Sequence, residues 1–600
     1  MRRFLAASLS TLLFVGTLPV PSFAGEKNDA SQNDPATATP IKHIVVIFGE
    51  NISFDHYFGT YPKAQNNSGE TRFKYVQSPH AGHDVANNLI TPLDPTNDFK
   101  PVKHVDLLKA NPNGPSGSGA VFNGASAANP FRLAPSQAGT ADMNHSPKPE
   151  QVAYDNGKVD QFPGSTGTAG PPPAVLSASG AEHTKGLVMG YYDGNTVTAL
   201  WNYANHFALN DNTYTSQFGP STPGAINLIA GQTNGFAQYT NVVTGTTLLH
   251  NTHEAFDGQG GFTLVGDAEP LGDVCSNTSS DNVLFAGKNI GDLLNKQDIT
   301  WGWFQGGFNT ELTNANGSTG CTRSTPNAIP GFGGVAVNDY VEHHQPFQYY
   351  ASTANPTHAR PSSIRAIGSS YEAGRGKVVD PANHQYDTDD FFTALDNGVL
   401  PAVTFLKAPA YQDAHPGNSD PTDEQTFVVN VINALQESEF WESTAVVITY
   451  DDSDGWYDHQ MPSIVNPSTS ATVDALNAPG VCNTGAQQPD ADGKLPKDKK
   501  SLNGVGGLPV LGRCGYGTRI PLLVISPWAR DNYIDHTELD QTSVIRFIED
   551  NWLNGKRVQP NGSFDTIANS IESMFNFNRP LKEVRERKLF LDPNSGAIIK

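Results

Sequence analysis

Positive charge is scarce in this 600-residue chain. Only 38 Lys and Arg stand against 60 Asp and Glu, a net charge of −22. A nucleic-acid binder wants a basic face to release counterions from phosphates. The short basic runs here are confined to Lys497, Lys499 and Lys500 and to residues 585–588, so no nucleic-acid partner is expected. Charged residues make up 16%, below the usual quarter. After the N-terminus no apolar run is long enough to span a bilayer, which argues against stable membrane insertion. The four cysteines include no Cys-x-x-Cys pair, which disfavours a thiolate metal cluster. Gly-x-Ser-x-Gly is absent, which disfavours the nucleophile elbow of α/β-hydrolases.

What the chain does have is 57 Gly, 43 Pro and 37% hydrophobic residues, the composition of a loop-rich globular protein with a real core. Its length fits about three to four average domains or one large α/β domain. Arg2 and Arg3, an apolar stretch over 4–18 and the small-x-small site Ser22-Phe23-Ala24 predict a signal peptide over residues 1–24. A flexible segment is expected over 25–40, then a single large domain over 41–600. The chain is thus expected to be exported, to the periplasm or beyond. Four cysteines in an exported chain predict two disulfides. Of the three connectivities, the local pairing Cys275–Cys321 and Cys482–Cys514 is preferred.

Short, nearly continuous apolar runs at 41–48, 403–406, 445–449 and 522–526, with a fifth at 299–304, read as strands buried on both faces. Residues 423–438 and 539–552 carry helical periodicity, the first with a capping box from Thr422 to Gln425. The segment 403–449 reads as strand–helix–strand, long enough for a right-handed parallel crossover. The expected fold class is α/β, with a mostly parallel central sheet and helices on both faces. Long loop insertions are expected at about 110–182 and 460–515. Loops of this length are uncommon unless they serve function.

Sites in open parallel sheets form at the carboxyl ends of strands. The first run is followed by Gly49-Glu50-Asn51, and the run at 445–449 by Tyr450-Asp451-Asp452-Ser453-Asp454-Gly455. Together these oxygens make a hard-cation site. Asp451 and Asp452 alone fit an ordinary polar turn equally well. In Phe218-Gly219-Pro220-Ser221-Thr222-Pro223-Gly224, Pro223 fits the first turn of a helix. Ser221 there reads either as an N-cap hydroxyl or as a nucleophile at a helix N-terminus, where the dipole favours an alkoxide and phosphate. A cation on the same oxygen lowers its pKa further. His343 and His344, His415 and His145 are candidates to neutralise phosphate oxygens or to protonate a leaving alkoxide.

These motifs resemble the bacterial phosphoesterase family, which holds bacterial phospholipases C and acid phosphatase A type enzymes. The opening motif runs from Ile44 through Gly49-Glu50-Asn51-Ile52-Ser53-Phe54-Asp55-His56 to Thr60. Gly219-Pro220-Ser221-Thr222-Pro223 matches the nucleophile motif, and 451–459 resembles the second metal motif. Ile52 departs from the pattern, where Arg is commoner. The resemblance implies a core similar to alkaline phosphatases and arylsulfatases, with one hard metal ion, divalent or similar, per active site. It implies Glu50, Asn51, Ser221, Asp451 and Asp452 as its ligands. It implies Ser221 as the nucleophile and His343, His344, His415 and His145 as histidines of the substrate pocket, the first three also helping to protonate the leaving oxygen. The phospholipase branch typically has Thr at the nucleophile position and Asn-Arg after the second Pro. Ser221 and Gly224-Ala225 therefore favour the acid phosphatase branch and a phosphate-ester substrate. The missing Arg also argues against a sulfatase. A binding protein that has lost its chemistry would be expected to lack some of these motif residues.

Overall fold

Continuous apolar runs become the inner strands of one sheet. The computed structural model describes residues 36–75, 130–168, 185–241, 246–247, 253–277, 279–327, 336–483, 504–507, 509–560 and 562–599. The expected leader, most of the 25–40 segment and much of the two insertions lie outside these residues. Where the 25–40 segment is described, Thr39 donates its N–H and its hydroxyl to Asn551 Oδ1, each at 2.9 Å.

The central sheet has nine strands: β1 (His43–Gly49), β2 (Ala208–Tyr214), β3 (Trp301–Gln305), β4 (Gln385–Tyr386), β5 (Val403–Lys407), β6 (Thr444–Tyr450), β7 (Arg519–Ile525), β8 (Tyr533–Asp535) and β9 (Leu539–Asp540). Their order is β4-β3-β5-β1-β6-β7-β2-β8, with β9 also paired to β2. Strands β4 to β6 are all parallel, and β7 runs antiparallel to both of its neighbours. Every residue of β6 and β7 is buried, which requires cover on both faces of the sheet. The expected α/β class with a mostly parallel sheet is therefore what the chain adopts. Residues 403–449 do form strand–helix–strand, but β5 and β6 are not neighbours, because β1 lies between them and pairs with both.

The helices that matter for the site are α1 (Phe54–Phe58), α2 (Ser221–Ala230), α3 (Pro421–Glu437) and α4 (Thr542–Trp552). Helix α3 starts earlier than its periodicity indicates. Asp420, not Thr422, is the cap, and its carboxylate accepts the N–H groups of Thr422 and Asp423 at 2.8 and 3.0 Å. Pro421 at the first helical position has its φ preset for the helix, so the residue before it becomes the cap. Helix α4 starts later than residue 539, because Leu539–Asp540 pair as β9. Strand β2 was not anticipated: its sequence ALNDNTY carries buried Asn210, Asp211 and Thr213. Both expected disulfides, Cys275–Cys321 and Cys482–Cys514, are formed, with Cα separations of 5.2 and 5.9 Å.

Candidate active site

Three adjacent parallel strands deliver charged groups to one edge of the sheet. β1 and β6 stay in register to the last pair, Gly49 with Tyr450. The residues that follow, Glu50-Asn51 and Asp451-Asp452, therefore leave the carboxyl edge side by side. On the other flank of β1, β5 ends at Lys407. Lys407 Nζ contacts Glu50 Oε1 directly, and both side chains are buried. Lys407 directly follows the apolar run at 403–406, a strand end that the motif reading, confined to the runs at 41–48 and 445–449, did not include.

Helix α2 brings Ser221 to the same edge. Gly219 enters with φ +136°, Pro220 holds the N-cap position, and Ser221 is the first helical residue. One turn on, Gly224 rests on the backbone of Asp451, where a Cβ would lie 2.1 Å from the Asp451 carbonyl oxygen. Because Pro220 is the cap, the alternative of an N-cap hydroxyl for Ser221 falls away. Ser221 Oγ instead lies 3.0 Å from Glu50 Oε2, 3.2 Å from Asp452 Oδ2 and 3.5 Å from Asn51 Oδ1. Asn51 adopts a left-handed φ of +64°, which Asn tolerates better than most residues. Its N–H donates to Asp451 Oδ1 at 2.9 Å, and its Nδ2 donates to Asp454 Oδ1 at 3.3 Å. The amide is thus turned so that its oxygen meets the serine.

This donor set fits a hard cation. One hydroxyl proton serves only one of the three oxygens around Ser221, and Asp451 Oδ2 is buried with no hydrogen-bond partner. Buried oxygens in such excess call for a cation. Burial, and then Asp451, push the Glu50 carboxyl well above its ordinary value, with Lys407 pulling the other way. Burial and Asp451 likewise push Asp452 up. Burial also acts against an ionised Asp451, but its contact with Glu50, the charge of Lys407 and the N–H groups of Asn51 and Asp452 hold it below the usual range. A second donor group, Glu50 with His344 and Asp413, lies on the far side of Glu50. There Lys407 already supplies the positive charge.

Of the four histidines expected here, His343, His344 and His415 pack on one another, and His145 lines an adjoining cleft. The His343 and His344 rings stand 4.4 Å apart edge to face, and His344 and His415 stack at 6.3 Å. His344 Nδ1 is 3.0 Å from Glu50 Oε1. Burial, followed by the charge of His343, pushes His344 well below its ordinary pKa. His415 donates its Nδ1–H to the Pro416 carbonyl at 2.8 Å, and follows Ala414 at a strained φ of +82°. His145 Nδ1 lies 3.0 Å from both the Met143 carbonyl and Asp454 Oδ1. It lines a cleft of about 660 Å³ with Lys148, Pro220, His253 and Asp267. Asp267 Oδ1 accepts the Thr222 N–H at 2.9 Å, and Pro223 has no N–H to give. The helix terminus therefore offers a phosphoryl oxygen less than the sequence suggests.

A carboxylate that the sequence reading passed over braces the serine loop. Glu150 accepts the Gly219 N–H at 2.9 Å and the Ser453 hydroxyl at 2.7 Å, and burial pushes its pKa up to about 7. Behind the site, Arg519 bridges Asp55 and Asp458 at 2.9 and 3.1 Å, which ties α1 to the segment after Asp452. Nothing near these residues in sequence announces such pairings.

The chain matches the model of the phosphoesterase family over residues 41–553. The chain belongs to the phosphoesterase family. The non-haemolytic phospholipase C of Burkholderia pseudomallei is 23% identical over 549 residues, covering 91% of this chain and 60% of that protein. Phospholipase C B of Mycobacterium tuberculosis is 22% identical over 548 residues, covering 91% of this chain and 80% of its own length. Among solved structures, a protein of the alkaline phosphatase superfamily from Vibrio parahaemolyticus is 12% identical. It covers 66% of this chain and 67% of its own, with a TM-score of 0.23.

Proposed function

We propose that the protein is an exported, metal-dependent phosphoesterase that forms a phosphoserine on Ser221 and acts on phosphate monoesters, as an acid phosphatase. The observation that carries this reading is Ser221 Oγ, held at the start of α2 within 3.0–3.5 Å of Glu50, Asp452 and Asn51. When bound by Glu50, Asn51, Ser221, Asp451 and Asp452, a hard cation supplies Lewis-acid charge that favours the ionised hydroxyl and offsets charge on the phosphoryl oxygens. Ser221 Oγ attacks phosphorus in line, and the bond to the leaving oxygen breaks. His415, with Nδ1–H committed to the Pro416 carbonyl, gives the proton carried on Nε2 to that oxygen. Buried His344, held neutral beside Glu50, suits orientation of the site, and His343 stacks on it edge to face. His145 binds substrate from the cleft. Water then gives a proton back to His415 Nε2 and attacks phosphorus from the side the leaving group has vacated, and the Ser221 Oγ–P bond breaks to release phosphate. The two disulfides and the predicted leader support export. Among the described residues no helix is long and apolar enough to cross a membrane.

The names of the relatives favour a second reading, a phospholipase C acting on phosphodiesters. Rates on p-nitrophenyl phosphate and p-nitrophenyl phosphorylcholine, compared on one metal-replete sample, separate the two. Faster monoester release supports the acid phosphatase reading, and faster diester release replaces it. On either substrate, Ser221→Ala is expected to lower kcat/KM by at least about 10³-fold. Retention of most turnover would remove Ser221 from the mechanism.

A further inference from the structure

One buried oxygen outside the donor set is shared by two parts of the site. Asp454 is fully buried and sits at a left-handed φ of +55°. Its Oδ1 accepts from Asn51 Nδ2 at 3.3 Å and from the Met143 N–H at 3.0 Å, and lies 3.0 Å from His145 Nδ1. The Asn51 bond fixes which way that amide faces, and so which atom it presents to Ser221. On the His145 side, Nδ1 also lies 3.0 Å from the Met143 carbonyl, which can only accept. Nδ1 therefore carries a proton, and Nε2 is the ring nitrogen left for the cleft.

The geometry points to Asp454 as a positioning residue that sets the orientation of the metal-site amide of Asn51 and anchors the ring of His145 through a single oxygen. This rests on the reading of Asn51 as a metal donor and of His145 as a substrate-pocket residue. Because Asp454 acts through both groups, cation binding and the state of His145 are coupled. Outer partners of metal donors typically contribute about 10- to 100-fold in metal affinity.

The test is Mn²⁺ titration calorimetry on the full chain with its disulfides intact, together with ¹⁵N spectra of labelled histidines. The His145 signal is assigned by its loss in His145→Gln. Asp454→Asn is expected to weaken Mn²⁺ binding at least tenfold and to shift the His145 Nδ1 signal, with the proton still held on Nδ1 by the Met143 carbonyl. His145→Gln, which leaves the Asp454–Asn51 bond in place, should change Mn²⁺ affinity less than Asp454→Asn does, and a larger change overturns the inference. Mn²⁺ affinity within twofold of wild type in a folded Asp454→Asn overturns the inference. If that variant does not fold, the wild type decides. A protonated His145 Nδ1 whose ¹⁵N shift moves when Ca²⁺ is added upholds the inference, and an unprotonated or unmoved Nδ1 overturns it. None of these readouts needs turnover, so they stand apart from the Ser221→Ala result.

Discussion

The floor of the site and its wall are built by opposite means. The floor, made of Glu50, Asn51, Lys407, Asp451 and Asp452, is at most 1% exposed. It sits where three hydrogen-bonded strands end, so ladder register fixes its geometry. The wall is carried by segments outside the central sheet: 142–148 with His145, the hairpin of 253–267 with Asp267, the helical turn of His343, and a loop strained at Ala414 just before His415. Its residues are held by turns and by side-chain bonds to backbone. The difference separates two tasks. On the proposed function, the floor would set reactivity for every substrate and the wall would decide which substrate enters. Changes to the floor should depress all activity together, whereas changes to the wall should alter ratios.

Gly224→Ala is the sharpest break of the floor. On helix propensity alone, Ala is favoured over Gly by about 1 kcal/mol. The Cβ, however, would fall 2.1 Å from the Asp451 carbonyl oxygen, so α2 and the strand end must separate. Overpacking of this kind costs about 1–3 kcal/mol, and a shift of about 1 Å in the nucleophile costs about 10²-fold in rate. Thermal unfolding and kcat/KM on monoester and diester should both fall, with the substrate ratio unchanged. A more stable and fully active variant would show that α2 does not depend on that contact.

The next effect in size concerns the layer behind the floor. His56, in α1 just beyond Asn51, stacks on Trp456 at 3.8 Å and donates Nδ1–H to the Gly190 carbonyl at 2.8 Å. Burial pushes its pKa from 6.5 down to about 3, and the Gly190 bond recovers only part of that. Native His56 is therefore neutral, while the unfolded chain takes up a proton below about pH 6.5. Stability is thus lost as pH falls from 6.5 toward 3, with about 2 kcal/mol gone at pH 5. Denaturant unfolding at pH 7 and pH 5 should show this slope in the wild type. His56→Gln should lack that part of it, and equal slopes would place the proton elsewhere. An enzyme working in mild acid would carry this cost in the layer behind its floor, not in its wall.

The same division explains what could be read from the chain. Floor residues follow continuous apolar runs, so Glu50, Asn51, Asp451 and Asp452 were legible as strand ends. Ser221 was legible from Pro223 and its motif. Strand β2 was hidden because its polar side chains find partners more than 300 residues away: Asn210 Nδ2 donates to Asp535 Oδ2 at 2.8 Å and to the Thr537 carbonyl at 2.9 Å. The wall was hardest to read. That four histidines converge was anticipated by resemblance, but their hydrogen bonds were not. Asp267 on Thr222 and Asp454 on His145 are pairings that no local periodicity encodes.

Asp267 allows the smallest and most selective test. Its carboxylate occupies the Thr222 N–H and also lines the cleft beside Pro220. A leaving group in that cleft meets a fixed negative charge. Two like charges about 8 Å apart at an effective dielectric of about 20 repel by about 2 kcal/mol, and solvent at a half-exposed rim reduces this. Asp267→Asn keeps an oxygen for the Thr222 N–H and removes the charge. The kcat/KM ratio of para-carboxyphenyl phosphate to phenyl phosphate should then rise about five- to tenfold, after screening of that repulsion by solvent and salt. A ratio that stays put, with both rates lowered, would make Asp267 a part of the helix support and move it from wall to floor. The substrate ratio, and not the absolute rate, therefore assigns a residue to one or the other.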